Sequence, residues 1–361
     1  MKSFVILAAL AFVVGCGGTS TSGGNNNANG DGGVTGDDSG VTGDGSAGRD
    51  GGLLGDSGPP PPGSYTLTFG PVSVAAGQEN TQCVVKKLGN AALMHVGSIH
   101  NVLTQGSHHL IVYRTNDTVE QPTPFDCKPF VGTLNPAKGS PLMITQKKDE
   151  LLALPDGVAY TLQADQMIRL EMHYINPGGS TIMVEGQSTF IPIADAAFKY
   201  EADFLFIGDP DINVPAHSTS TLGPIFYKLP AAFATSNFFA ITGHEHQFGT
   251  NVTISTAMNA ADPGTSIYNV PGWMWNEPKT QFFSPTINIP ANGGFKFTCD
   301  WNNTSNAAVG FGESANQEMC FFWAYYYPSQ GAKVCFHTDK VPGGVDFCCP
   351  GSQYCSAIPG Q

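Results

Sequence analysis

Residues 103–114, LTQGSHHLIVYR, place two histidines side by side, His108 and His109, at the start of an apolar run. The run alternates in the manner of a β-strand, in which neighbouring side chains point to opposite faces of the sheet. The stretch therefore predicts a strand. Taken alone it leaves two interpretations of the histidine pair open, coincidence or a metal site.

Short β-rich segments lie on both sides of this stretch and are separated by clusters of Gly, Pro, Asn and Asp. They include SYTLTFGPVSV, QMIRLEMHYI, TIMVEGQSTFIPI, FFAITG, NVTIST, TINIP and FKFTC. Long helical periodicity is missing, and this pattern is typical of antiparallel sandwiches or barrels. We therefore expect an all-β fold with little helix.

The segment PIADAAFKYEADFLFI, residues 192–207, interrupts this alternation near the middle of the folded region. The residues around it suffice for two ordinary domains. We predict two tandem antiparallel β-sandwich domains of jelly-roll type, residues 64–196 and 197–334, followed by a Cys-rich tail at 335–361.

The chain opens with MKSFVILAALAFVVGCGG, in which one early Lys precedes an apolar segment from Phe4 to Val14. That segment is too short to span a bilayer and has the proportions of a signal peptide. The small residue before Cys16 resembles a bacterial lipobox, which makes residues 1–16 a lipoprotein signal and Cys16 the lipidated anchor to a membrane. Because Gly17 is not the Asp of the usual inner-membrane retention signal, we expect an exported cell-envelope lipoprotein at the outer membrane. The alternative is an ordinary secretory signal with a chance Cys.

Residues 17–63 are dominated by Gly, Ser, Thr, Asn, Asp and Pro, a composition that cannot bury enough apolar surface to offset chain entropy. We predict a disordered tether there. Only 12% of the whole chain is charged and its net charge is −13, which argues against nucleic acid as a partner.

Three further histidines lie in motifs that suit metal ligands. His173 lies in IRLEMHYINP, and His244 and His246 form an H-x-H pair in ITGHEHQFG. On a strand such a pair projects both rings from one face, about 7 Å apart along the backbone, which suits two ligands of one metal. The alternative is a pair of polar residues on a solvent-facing surface.

Four motifs occur in a fixed order along the chain: HH in GSHHLIVYR, H in LEMHYIN, H-x-H in GHEHQFG and M in QEMCFFWAYYY. In this order, with flanks such as LEMHY and EMC, they resemble the copper type II ascorbate-dependent monooxygenases. That is the family of dopamine beta-monooxygenase and peptidylglycine alpha-hydroxylating monooxygenase. The resemblance covers residues 65–330.

The resemblance implies two copper ions, one in each domain. The first would be held by His108, His109 and His173, and the second by His244, His246 and Met319. Adjacent histidines can reach one metal if the strand begins or bulges there, and Gly106 with Ser107 supplies such an irregularity. Three imidazoles suit both Cu(II) and Cu(I), whereas the thioether of Met319 is a soft ligand that favours Cu(I).

The implied reaction is hydroxylation of an unactivated or benzylic C–H bond with dioxygen at the second, catalytic copper, while the first stores an electron. Ascorbate, or in a bacterium another one-electron donor, would be the cosubstrate. The peptide-hydroxylating branch binds its substrate carboxylate with Arg, Asn and Tyr at positions that are Thr242, Phe321 and Trp323 here. Without the Arg we predict that these residues bind a small apolar or aromatic substrate. A non-catalytic copper-binding or copper-handling lipoprotein is the alternative.

Apart from Cys16, the chain has eight cysteines, an even number in an exported protein, which predicts four disulfides. The resemblance implies two of these pairs, Cys83 with Cys127 and Cys299 with Cys320. The remaining cysteines cluster in the tail, and their connectivity stays open: Cys335, Cys348, Cys349 and Cys355.

Overall fold

The computed structural model describes residues 59–127, 139–312 and 314–355. The predicted signal peptide with its lipidation site Cys16, and the predicted tether up to residue 58, lie outside these residues. Among the described residues, no helix is long and apolar enough to cross a membrane.

Strands account for nearly all regular structure in the described part of the chain. The helical elements found there are two short 3-10 turns, Asp195–Ala197 and Ala231–Thr235. The predicted all-β class with little helix is confirmed. The physical reason is the one given by the pattern, because β-branched and aromatic residues alternate over short runs that Gly and Pro interrupt.

Eleven strands, which we call the first half, form two sheets. They are β1 Tyr65–Val74, β2 Glu79–Lys87, β3 Met94–Leu103, β4 Ser107–Thr115, β5 Gln121–Asp126, β6 Gly139–Thr145, β7 Asp149–Ala153, β8 Val158–Leu162, β9 Met167–Ile175, β10 Ile182–Ile193 and β11 Tyr200–Glu201. The outer sheet has the order β1-β10-β3-β8-β11, with β7 also paired to β3. The inner sheet has the order β5-β2-β9-β4-β6.

The other twelve strands form the second half. They are β12 Asp203–Gly208, β13 Asn213–Val214, β14 Ser218–Lys228, β15 Asn237–His244, β16 Gly249–Ala257, β17 Thr265–Asn269, β18 Gln281–Asn288, β19 Gly294–Asn303, β20 Val309–Gly310, β21 Phe321–Tyr327, β22 Lys333–Thr338 and β23 Val345–Cys349. Its inner sheet has the order β18-β15-β21-β12-β22-β23, and its outer sheet has the order β14-β19-β16-β17. Strands β13 and β20 form a separate pair.

Strand pairing passes from one half to the other within a few residues. Tyr200–Glu201 still pairs with β8 of the first half, whereas Asp203–Gly208 pairs with β21 and β22 of the second. This switch lies close to the predicted boundary after residue 196, and the division into two domains stays a prediction. The predicted tail contributes β23 and most of β22 to the inner sheet of the second half.

The two inner sheets face each other, and each is covered on its far side by an outer sheet. In the first half, Gly186 of β10 lies against the side chains of Met172 and Leu110, so these point to the outer sheet. In the second half, the ring of Phe322 packs 5.2 Å from that of Phe295 on the outer sheet. A single apolar core joins the inner sheets and includes Ile144 and Tyr325, whose backbone N–H and hydroxyl oxygen hydrogen-bond. The histidines of the candidate metal centre lie between the two inner sheets.

Candidate metal centre

The first histidine set is built by two neighbouring strands of an inner sheet. His109 pairs directly with His173 across β4 and β9, and the register of that ladder shifts between Ser107 and His109. His108 is therefore the extra residue of a β-bulge, which lets two adjacent side chains approach the same point. The predicted irregularity at the histidine pair is confirmed.

The three rings of this set converge tightly. The ring centroids of His108, His109 and His173 lie 5.0 to 5.3 Å apart. Each ring offers one nitrogen, and these nitrogens lie within 4.8 Å of one another. Because Met172 and Leu110 point to the outer sheet, the paired His109 and His173 point the other way, toward the second half.

The second set lies at the end of β15 and the start of β21. His244 is the last residue of β15 and pairs with Phe321, the first residue of β21. Continuing this register by two residues places Met319 opposite His246, although the ladder itself has ended. The rings of His244 and His246 are 5.1 Å apart, and Met319 is buried.

A buried carboxylate anchors the backbone of the second set where the strand ladder stops. Glu318 accepts hydrogen bonds from the backbone N–H of His246 at 2.9 Å and of Phe248 at 2.8 Å. It also accepts one from the indole Nε1–H of Trp301 at 2.9 Å. Burial raises the pKa of Glu318 to about 7. Glu318 precedes Met319, so the same residue joins the H-x-H turn to the methionine.

The two sets meet in one buried centre. The ring of His108 in the first half lies 6.2 Å from the ring of His246 in the second. Burial lowers the pKa of His246 to about 4, and burial together with the neighbouring imidazoles lowers the pKa of His108, His109 and His244 well below the usual range. These four imidazoles are therefore neutral near pH 7, which is the state that binds a metal.

Three of the rings have their other nitrogen held by an acceptor. His173 Nε2 donates to Glu79 Oε1 at 2.9 Å, His244 Nδ1 donates to Gln146 Oε1 at 2.9 Å, and His246 Nδ1 donates to the Gln317 carbonyl at 3.1 Å. The hydrogen bond from His173 lowers the pKa of Glu79, which is therefore a carboxylate. Such contacts fix the tautomer and orientation of metal-binding histidines.

The predicted substrate-binding residues lie on the same face of the second half as the candidate ligands. Thr242 pairs with Trp323, as His244 pairs with Phe321, and all are buried between the inner sheets. The ring of Trp323 lies 5.8 Å from that of His244, whereas Phe321 stacks on Phe206 at 5.0 Å. Thr242 donates its hydroxyl proton to Thr280. Of the three, Trp323 contacts the ring of a candidate ligand.

Sequence reasoning missed several residues at this centre. Gln146 and Glu79 each accept a hydrogen bond from a candidate ligand ring, and the ring of Trp275 lies 5.1 Å from that of His108. Trp275 belongs to the loop PGWMWNEPK, and two tryptophans in a Gly- and Pro-rich loop were a usable signal. Nothing in the local pattern distinguishes Gln146 or Glu79, because their partners are brought close only by the fold.

Four disulfides are present among the described residues, as the cysteine count predicts. Two have the pairing that the family resemblance implies, Cys83 with Cys127 and Cys299 with Cys320. The tail pairs are Cys335 with Cys348 and Cys349 with Cys355. The bridge at Cys320 is attached to the residue directly after Met319, so it restrains the start of β21.

Comparison with known proteins gives a family match for most of the second half. Residues 217–342 match the family model described as copper type II ascorbate-dependent monooxygenase, C-terminal domain. No curated protein sequence matches the chain. Among solved structures, N-glycanase F is 10% identical, with 73% of this chain and 94% of that one covered and a TM-score of 0.30. The VP2 subviral particle of infectious bursal disease virus is also 10% identical, with 73% and 71% covered and a TM-score of 0.18. The family match over residues 217–342 supports the resemblance to the copper type II ascorbate-dependent monooxygenases that the motifs show.

Proposed function

We propose that this protein is a monooxygenase that binds two copper ions and hydroxylates a C–H bond of a small apolar or aromatic substrate. One atom of dioxygen becomes the product hydroxyl and the other leaves as water, with two protons and two electrons taken from ascorbate or a similar one-electron donor. The observation that carries the proposal is the convergence of the two ligand sets on one buried centre, with His108 and His246 6.2 Å apart.

The residues present fit copper. Three buried ring nitrogens have no hydrogen-bond partner among the described residues, His108 Nε2, His173 Nδ1 and His246 Nε2. A buried polar atom without a partner is costly, and a metal ion would satisfy it. Three imidazoles in one set, and two imidazoles with a thioether in the other, suit an ion that alternates between Cu(II) and Cu(I). When bound, copper would supply the one-electron chemistry that delivers electrons to dioxygen.

The chain's own residues orient the ligands and keep water out of the centre. Glu79, Gln146 and the Gln317 carbonyl hold the N–H groups of three ligand rings. Aromatic side chains pack against both histidine sets, Trp275 against His108 of the first and Trp323 against His244 of the second. This apolar surround is consistent with an apolar or aromatic substrate, and a carboxylate-binding Arg is replaced by Thr242.

The burial of all six candidate ligands favours a second candidate function, copper handling without turnover. None of the six is more than 4% exposed. A copper carrier needs the ligands but no route for a substrate. The two functions differ in a measurable way, because an enzyme consumes dioxygen when substrate and reductant are present and a carrier does not.

The deciding experiment measures copper content and oxygen consumption on the same preparation. We expect two copper ions per chain, and one after His109→Ala, with oxygen consumption that requires both reductant and an aromatic substrate. His100→Ala is the matched control, because His100 is a first-half histidine that hydrogen-bonds Asp149 away from either set. Zinc in place of copper, or one copper with all six ligands intact, would contradict the proposal. Copper without oxygen consumption would favour the carrier.

Substrate class and location belong to the same proposal and have separate tests. A phenethylamine-like compound should be converted faster than a glycine-extended peptide, because the family's Arg position is Thr242. A faster, saturable reaction with the peptide would overturn the substrate class. The protein is proposed to be an outer-membrane lipoprotein anchored through Cys16. Cys16→Ser should release it into the soluble fraction, and unchanged membrane association would contradict the anchor.

A further inference from the structure

Gln146 connects the two halves at the candidate copper centre. It follows β6 in the first half and is 4% exposed, yet its side chain contacts two groups of the second half. Its Oε1 accepts from His244 Nδ1 at 2.9 Å, and its Nε2 donates to the backbone carbonyl of Trp275 at 3.3 Å. A first-half residue thus holds a second-half ligand.

The hydrogen bond to Trp275 fixes the orientation of the Gln146 amide, and with it the direction of the hydrogen bond between Gln146 and His244. A carbonyl oxygen can only accept, so the amide NH2 must point to Trp275 and the amide oxygen to His244. His244 then carries its proton on Nδ1 and its lone pair on Nε2. The ring of His246 lies 5.1 Å from that of His244. The tautomer of His244 is therefore set by a side chain from the other half.

Glu79 makes the converse connection at the first set. It lies on β2 of the first half and accepts from His173 Nε2, which leaves the lone pair of that ring on Nδ1. The same Oε1 accepts from the backbone N–H of Ala315 at 3.1 Å, in the second half. The carboxylate that holds His173 is thus itself held by the second half.

We propose that Gln146 and Glu79 are positioning residues that act across the two halves, each setting the tautomer of one copper ligand. Gln146 sets His244, and Glu79, held by the Ala315 N–H, sets His173. This proposal rests on the assignment of the two histidine sets as copper ligands. Its consequence is that neither set has its final geometry unless the two inner sheets are in contact, which ties the chemistry of the centre to the docking of the halves.

The first test uses the metal-free protein and reports tautomers by ¹⁵N NMR of the histidine rings. Gln146→Leu should shift His244 away from the Nδ1–H form and leave His173 unchanged, and Glu79→Leu should shift His173 and leave His244 unchanged. Gln146→Glu and Glu79→Gln keep an acceptor and should retain the wild-type tautomers. Gln187→Leu, on β10 of the outer sheet, is the matched control. A Leu variant that leaves its own histidine unchanged, or alters both histidines alike, would overturn the proposal.

The second test measures copper affinity by competition with a Cu(I) chelator. Gln146→Leu should weaken binding about 10–100-fold at the set that contains His244 and leave the other set unchanged, as expected for loss of a contact that orients a ligand. Gln146→Glu should restore most of the affinity. Unchanged affinity in Gln146→Leu would overturn the proposal. If the wild-type protein bound no copper, the proposed function would fail, while the tautomer measurement would still decide the role of Gln146 and Glu79.

Discussion

The two candidate ligand sets are built in different ways although they face each other. In the first set, His109 and His173 are direct neighbours in a strand ladder and His108 sits on a bulge of the same strand. In the second set, His246 lies beyond the end of β15 and Met319 lies before the start of β21. Backbone pairing brings the three histidines of the first set together, and Glu79 then orients His173, whereas in the second set side chains must replace the missing ladder itself.

This difference predicts where each set is vulnerable. A ladder distributes its free energy over many backbone hydrogen bonds, so no single side chain controls it. The second set instead depends on the carboxylate of Glu318, the bridge at Cys320 and the amide of Gln146. Substitutions of these side chains should therefore damage the second set and spare the first.

The largest effect is expected for Glu318→Leu. It leaves the N–H groups of His246, Phe248 and Trp301 without their acceptor, and each buried unpaired donor costs about 1–3 kcal/mol. The free energy of unfolding, measured by urea denaturation, should fall by about 3 kcal/mol or more. Glu318→Gln keeps one acceptor oxygen and should lower the free energy of unfolding by less. A loss below about 1 kcal/mol would show that the strands hold the turn without the carboxylate.

A somewhat smaller effect is expected when the bridge beside Met319 is removed. Cys299→Ala with Cys320→Ala opens a bridge between residues 21 apart and should lower the free energy of unfolding by about 3 kcal/mol. Copper should be lost from the second set. The comparison pair, Cys83→Ala with Cys127→Ala, should destabilise the protein as well but retain copper on β4 and β9, which the ladder holds. Equal copper loss in both double variants would contradict the contrast between the sets.

The same contrast explains how much could be predicted from sequence. The strand and bulge at His108 were predictable because they are encoded within a dozen residues, by alternation and by Gly106 before the pair. The all-β class followed for the same local reason. The roles of Gln146 and Glu79 could not be predicted, since each depends on a partner about a hundred residues away in sequence. Strand pairing within one sheet brings Glu79 to His173, and the facing of the two inner sheets brings Gln146 to His244. A local sequence pattern does not encode contacts between residues so far apart in the chain.

Met319→Ile should have a modest effect on stability and a selective effect on copper. The change keeps approximate volume, so the cost in unfolding free energy should stay below about 1.5 kcal/mol. Removing the sulfur should weaken Cu(I) at the second set and abolish turnover, while the first set keeps its ion. Met172→Ile is the matched control, because Met172 is a buried methionine that points to the outer sheet. Full activity in Met319→Ile would remove Met319 from the ligand set.

The smallest effect is expected in the C-terminal hairpin, which contributes no candidate ligand. His337 on β22 lies 2.7 Å from Asp346 on β23, and that hydrogen bond raises the pKa of His337, with Asp209 and Asp339 adding to the effect. A raised pKa in the folded state stabilises the protein fully below the unfolded value, about 6.5, and the contribution is lost as the pH rises through the folded pKa.

His337→Asn should therefore destabilise the protein more at pH 5 than at pH 9, by about 1 kcal/mol or less because the pair is partly exposed to solvent. Both proteins retain Asp209, whose burial raises its pKa to about 6, so comparing the two removes most of that residue's own titration. Chemical denaturation across this pH range measures the difference, with copper content as the second readout. Copper bound to either set should not change. A pH-independent difference would show that the imidazole contributes packing only, and a loss of copper would show that the hairpin supports the second set through β12, its neighbour in the inner sheet.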